Sequence, residues 1–144
     1  MSSPKILAAI PHREPFLLLD EIVEQTDTRI VCRKTFTGDE FWYQGHYPQY
    51  PITPGVLLCE AAMQAGAVLL SDLVAAQPDM VPVATRANHV QFKKMVFPGD
   101  TIEIEVDLLE QLANAFFLKA RVTVDGKVAT RLEFACTLTK AVAN

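Results

Sequence analysis

The sequence predicts an α+β domain in which an antiparallel sheet wraps around one long central helix. Three observations predict it. Residues 55–76 are apolar nearly all round, as in a helix that is buried rather than laid on a surface. Residues 101–108 and 116–124 alternate apolar and polar side chains, the period of strands that bury one face. Asp125-Gly126 then joins the second run to a third, 127–139, through strong two-residue hairpin chemistry. A sheet with one apolar face must cover that face, and the long helix is the element large enough to do it.

The elements follow in order. Ser3-Pro4 supplies an N-cap and a first helical residue for a short helix reaching about Ile10, which Pro11 ends. Residues 16–24 and 29–36 read as two strands, with turn chemistry at Thr26-Asp27-Thr28. Residues 38–54 read as a loop punctuated by Gly45, Pro48, Pro51 and Pro54. A proline-rich loop loses little entropy on ordering, so it can hold a side chain in place. Pro54 opens the long helix and Gln77-Pro78-Asp79 ends it. Residues 88–97 form a further strand, and Pro98-Gly99-Asp100 turns the chain into the run at 101–108. The 144 residues suffice for one domain, and 1–144 is read as one.

Composition narrows the function. The net charge of -4 argues against nucleic acid as the main partner, because binding phosphates calls for a basic excess. The three cysteines, Cys32, Cys59 and Cys136, form no CxxC spacing and read as reduced thiols of a cytoplasmic protein. The apolar run near the N-terminus is too short for a secretory leader. The longest apolar stretch, 56–70, is interrupted by Glu60 and Gln64 and is shorter than a bilayer span, so no membrane segment is expected.

Chemistry concentrates in residues 45–64, GHYPQYPITPGVLLCEAAMQ. His46 sits on the ordered loop, and Glu60 lies fourteen positions later in the apolar helix, where a charge is costly without a partner or a task. Gln64 is one turn further on the same face. Gly55 falls in the first helical turn, where N–H groups are unpaired and the dipole is positive. Each has a structural alternative. His46 can bond loop carbonyls, Glu60 and Gln64 can form a buried hydrogen-bonded pair, and Gly55 can simply permit the turn after Pro54. Together they match three demands: a base for a proton beside a thioester carbonyl, a donor for the carbonyl oxygen, and an acid for a departing β-hydroxyl. No GxSxG, HExxH, P-loop or GxGxxG pattern is present, and His12 and His89 lack metal-ligand spacing, so no metal site is expected.

The same segment resembles the GHFPxxPxxPGVLxxEAMAQ signature of the FabZ-type β-hydroxyacyl-acyl-carrier-protein dehydratases. IPHREPFLLLDEIVE is similar to that family's LPHRxPFLLVDxVxE, and VQFKKMVFPGD to its ARFKRPVxPGD. The likeness runs from about Ile10 to Lys140. It implies a hot-dog fold and a homodimer with joined sheets, which in the family often assembles into a hexamer, a trimer of dimers. It implies that His46 is the catalytic base and that Glu60, from the opposing subunit, is the acid. It implies that the Gly55 amide holds the thioester carbonyl, that Gln64 supports the acid, and that Val56 lines the acyl tunnel. The substrate so implied is a (3R)-3-hydroxyacyl group carried on acyl carrier protein. No cofactor is implied, since the thioester itself acidifies the α-carbon. Lys93, Lys94, Arg86, Arg121 and Arg131 are the basic residues available to an acidic carrier protein. The segment 84–91 departs from the family pattern, with Gln91 where an Arg is usual. Because fold likeness does not fix the reaction, an acyl thioesterase and a non-catalytic acyl-binding subunit stand as the other readings.

Overall fold

The computed structural model describes residues 2–140; Met1 and residues 141–144, the ends of the domain read from the sequence, lie outside the described residues. A short helix, α1 (Pro4–Ala9), precedes strands β1 (Glu21–Gln25) and β2 (Arg29–Thr35). A 3-10 turn (Phe41–Gln44) lies in the loop before helix α2 (Gly55–Leu69), and a short helix α3 (Ser71–Ala75) follows it. Strands β3 (Met80–Phe92), β4 (Thr101–Leu112), β5 (Ala115–Val124) and β6 (Lys127–Lys140) complete the chain. The six strands form one antiparallel sheet in the order β1-β2-β4-β5-β6-β3.

The alternating runs become β4, β5 and β6 as expected. Ile102, Ile104, Val106, Leu118, Val122 and Leu132 point into the core and are at most 2% exposed. Asp125 and Gly126 both adopt positive φ (50° and 78°), the type I′ geometry that suits the twist of a two-residue hairpin. Against this inner face lies the small-residue side of α2, with Ala61, Ala62 and Ala65 all fully buried. The approach is closest at Gly66, where an added Cβ would come within 2.8 Å of Phe134 Cζ.

Three expectations are corrected. The long helix does not run unbroken over 55–76: Leu70 has φ -85° and ψ -3°, and α3 starts beyond it. Ser71 Oγ donates to Val68 O at 2.7 Å, a local bond that competes with helical geometry. The strand expected over 16–24 begins only at Glu21, although Leu17, Leu18 and Leu19 are buried. The backbone of that segment bonds elsewhere: Phe16 and Leu17 N–H donate to Arg13 O, and Leu18 N–H donates to the Gln64 side chain. The strand expected over 88–97 is instead Met80–Phe92, on the edge beside β6. Bulges at Ala84/Arg86 and Asn88/Gln91 and a positive φ at His89 (53°) break its alternation. Among the described residues, no helix is long and apolar enough to cross a membrane.

Candidate active site

The loop 45–54 is pinned from several sides before it delivers its histidine. Thr53 N–H donates to Val96 O at 2.7 Å, and the Thr53 hydroxyl lies 2.6 Å from Tyr43 Oη in a buried contact. His46 N–H donates to Trp42 O at 3.1 Å, capping the 3-10 turn. Tyr47 is held at φ 53°, and its ring packs edge-on against the imidazole with centroids 4.9 Å apart. A non-glycine residue in the left-handed region costs energy that the surrounding contacts must offset.

The imidazole orientation has a chemical consequence. His46 Nδ1 lies 2.9 Å from Ile52 O. A carbonyl oxygen only accepts, so Nδ1 carries the proton and Nε2 keeps its lone pair. In the neutral ring, Nε2 is then the nitrogen free to accept a proton. The half-buried ring faces a cavity of about 550 Å³ lined also by Pro54, Gly55, Val56, Phe92, Lys93 and Thr130.

Gly55 does more than permit a turn. Pro54 occupies the N-cap position of α2, and an added Cβ at Gly55 would lie 2.6 Å from the Phe92 ring. Phe92, at the end of β3, thus closes directly over the first turn of the helix. Thr130 was not singled out from the sequence; it is fully buried beside the same cavity, and its hydroxyl has no hydrogen-bond partner among the described residues. Its alternating position in β6 resembles that of any inward residue, so only the missing partner marks it.

Glu60 and Gln64 form the expected pair on α2. Gln64 is 1% exposed, and its amide orientation is fixed by the backbone. Oε1 accepts Leu18 N–H at 2.8 Å, while Nε2 donates to Phe16 O at 2.9 Å and to Glu60 Oε2 at 3.0 Å. The carboxylate, about one quarter exposed at 26%, also faces His12 Nε2 at 3.9 Å.

His46 and Glu60 are not neighbours at one cavity of a single chain. The cavity beside His46 takes in Gly55 and Val56 but not Glu60. Glu60 lies one turn beyond Val56, about 6 Å further along α2 from the helix start that borders the cavity, and Val56 itself is 70% exposed. The long helix was expected to be covered all round; this face of α2 is left open by the chain's own sheet, while the face carrying Leu58, Ala62 and Ala65 is closed by it.

The basic residues divide. Lys93 and Lys94 line the cavity beside His46. Arg121 and Arg131 lie on the outer sheet face, around a separate cavity of about 710 Å³ that contains neither His46 nor Glu60. There Arg121 Nε donates to Glu105 Oε2 at 2.7 Å and Arg131 Nε to Gln91 Oε1 at 2.7 Å. Arg121, with Arg29 adding to it, holds the Glu105 carboxyl below the usual carboxylate range against the opposing effect of burial.

An antiparallel sheet wrapped on a central helix is the architecture of the hot-dog class. Solved structures share the fold: a dehydratase heterocomplex, ApeI:P, from Xenorhabdus doucetiae superposes with a TM-score of 0.77 at 18% identity, over 94% of this chain and 91% of that one. A hypothetical thioesterase with coenzyme A from Streptococcus pneumoniae gives 0.65 at 13% identity, over 96% and 94%. The FabA-like domain model matches residues 10–133. The sequence is 42% identical to a 3-hydroxyacyl-acyl-carrier-protein dehydratase FabZ from Clostridium perfringens, over 90% of this chain and 92% of the relative. It is 38% identical to the FabZ of Petrotoga mobilis, over 92% and 94%. The chain belongs to the FabZ-type dehydratase family.

Proposed function

We propose that this protein dehydrates (3R)-3-hydroxyacyl groups carried on acyl carrier protein to the trans-2-enoyl thioesters, in fatty-acid or related lipid biosynthesis. The observation that carries the reading is the His46 Nδ1 contact with Ile52 O, which leaves Nε2 basic at the cavity where α2 begins. The names of the FabZ relatives supply the substrate class.

The thioester carbonyl docks at the Gly55 N–H, where the helix dipole is positive and the oxygen gains negative charge as the α-proton leaves. His46 Nε2 takes that proton. The electron pair of the broken C–H bond forms the C=C bond, and the Cβ–O bond breaks. Glu60, as the neutral acid, gives its proton to the departing hydroxyl, so water leaves and a carboxylate remains. Return of the histidine proton to that carboxylate, directly or through solvent, resets the site.

The acid comes from a second copy of the chain in a homodimer. The exposure of Val56, one turn before the partly buried Glu60 on the same side of α2, supports this. So does β3, a 13-residue edge strand that exposes Val81, Val83, Val90 and Phe92 and invites pairing across the edge. Gln64 holds the carboxylate, Val56 borders the acyl channel, and Lys93 and Lys94 meet the acidic carrier at its mouth. The setting is cytoplasmic.

The test is an absorbance assay of hydration and dehydration on enoyl and 3-hydroxyacyl thioesters. Enoyl formation that falls by about 10²-fold or more, to a residual rate that can still be measured, in both His46→Ala and Glu60→Gln supports the proposal. Full activity in both variants, or release of free thiol without enoyl product, overturns it.

A further inference from the structure

We infer that His12 is a positioning residue for Glu60, fixing which carboxyl oxygen carries the proton that is delivered. The inference rests on the reading of Glu60 as the acid and adds a residue to it.

The geometry starts with what holds His12. Arg13 Nη1 donates to Ile10 O at 2.8 Å and to His12 O at 2.7 Å, and Nη2 donates to Leu7 O at 2.8 Å. Those bonds tie the backbone at His12 to the end of α1. Four residues on, Phe16 O and Leu18 N–H are both held by the Gln64 amide. The His12 ring lies nearly parallel to Phe16, with centroids 6.5 Å apart and planes at 16°. The imidazole packs parallel to Phe16 and brings its Nε2 to 3.9 Å from Glu60 Oε2.

The two ring nitrogens have different surroundings. Nδ1 is buried with no hydrogen-bond partner among the described residues. Nε2 lies 3.9 Å from Glu60 Oε2. A neutral imidazole has one N–H, and Nε2 is the ring nitrogen with an acceptor nearby, at a distance that must shorten before a hydrogen bond forms. Contacts of this kind are commonly long before substrate binds and tighten in the complex.

The hydrogen bond from Gln64 and the approach of His12 Nε2 therefore fall on the same oxygen. Gln64 Nε2 already donates to Oε2, and its orientation cannot reverse without losing the bonds to Leu18 and Phe16. With His12 as second donor, Oε2 is the carbonyl-type oxygen of the neutral acid. The proton is left on Oε1, the oxygen that Gln64 and His12 do not occupy. In the dehydration step the proton on Oε1 moves to the departing hydroxyl as the Cβ–O bond breaks, and the resulting carboxylate keeps both donors on Oε2.

The test is a double-mutant cycle on the full-length protein. His12→Phe keeps an aromatic ring against Phe16 and removes the donor; His12→Gln keeps an N–H at similar reach. His12→Phe is expected to lower kcat about 10-fold or more with little change in KM, the scale of one hydrogen bond to an ionisable group. His12→Gln is expected to recover most of that loss. In a Glu60→Gln background, His12→Phe is expected to add less than about twofold, because the group it acts through is gone. Equal losses in both backgrounds would mean a purely structural role and would overturn the inference, as would wild-type kcat in His12→Phe. Nitrogen NMR of the unmutated protein gives a reading that needs no variant: an Nε2–H tautomer at His12 supports the assignment, and an Nδ1–H tautomer overturns it. If Glu60→Gln is strongly impaired while His12→Phe is not, only this inference fails. If Glu60→Gln is fully active, the reading of Glu60 fails and this one with it.

Discussion

Gln64 reaches Glu60 with its Nε2 at 3.0 Å only because the other sides of the same amide are taken by the backbone of residues 16–18. One buried side chain thus joins the N-terminal segment, the central helix and the Glu60 carboxyl. Gln64→Leu fits the volume but strands Leu18 N–H and Phe16 C=O. We predict a stability loss of about 2–4 kcal/mol, from two unsatisfied backbone groups. Urea denaturation measures it; a midpoint within error of the parent protein would contradict the bonding described.

His46→Ala should lower kcat by about 10²–10⁴, the range for removing a general base, with little change in KM. Because the imidazole is oriented from the loop and not from the core, thermal stability should change little. Steady-state kinetics with a melting curve on the same sample separates the two effects. A variant that loses activity only by unfolding would argue against the assignment of His46 as the base.

Gly55→Ala places a Cβ against the Phe92 ring at 2.6 Å. The ring must move off the first turn of α2, and because Phe92 is 57% exposed the cost is about 1 kcal/mol or less. Shortening the obstacle should relieve it, so Gly55→Ala combined with Phe92→Leu should be less destabilised than the sum of the two single changes. Strict additivity in denaturation measurements would show that the two residues do not press on each other.

Burial pushes the Cys32 thiol up to about 12 from its ordinary 9.0. The folded chain therefore holds this proton more tightly than the unfolded chain. Below pH 9 both states are protonated and the contribution to stability is complete. Between pH 9 and about 12 the unfolded chain gives up the proton first, and stability falls. Comparing urea midpoints at pH 8 and pH 10.5, Cys32→Ala should lose less than the parent protein. An equal or steeper loss in the variant would assign the alkaline sensitivity to other groups.

Much of this was readable in the chain because it was local. The alternation over residues 101–139 and the Asp125-Gly126 turn fixed three strands and their hairpin with no knowledge of the rest. The sheet edge was not readable, because bulges at Ala84/Arg86 and Asn88/Gln91 interrupt the period of β3. The segment 16–20 was misread because its apolar run looks like a strand, while its backbone donor at Leu18 goes to a side chain 46 positions away. The break at Leu70 depends on a serine back-bond that helix propensity does not register. At the site, the spacing of His46, Gly55, Glu60 and Gln64 was visible. The Ile52 carbonyl, the Phe92 ring and the approach of His12 were not, since each is a contact made by folding.

The central claim, that a base from one chain works with an acid from its twin, has a direct measurement. Purified His46→Ala and Glu60→Gln proteins are each assayed alone, then mixed one to one, allowed to exchange subunits, and assayed again. Each mixed dimer would hold one intact site and one doubly impaired site, and half of the dimers would be mixed, so activity should return to about a quarter of the unmutated level. If verified mixed dimers remain as inactive as the two parents, base and acid belong to the same chain and the shared site is contradicted.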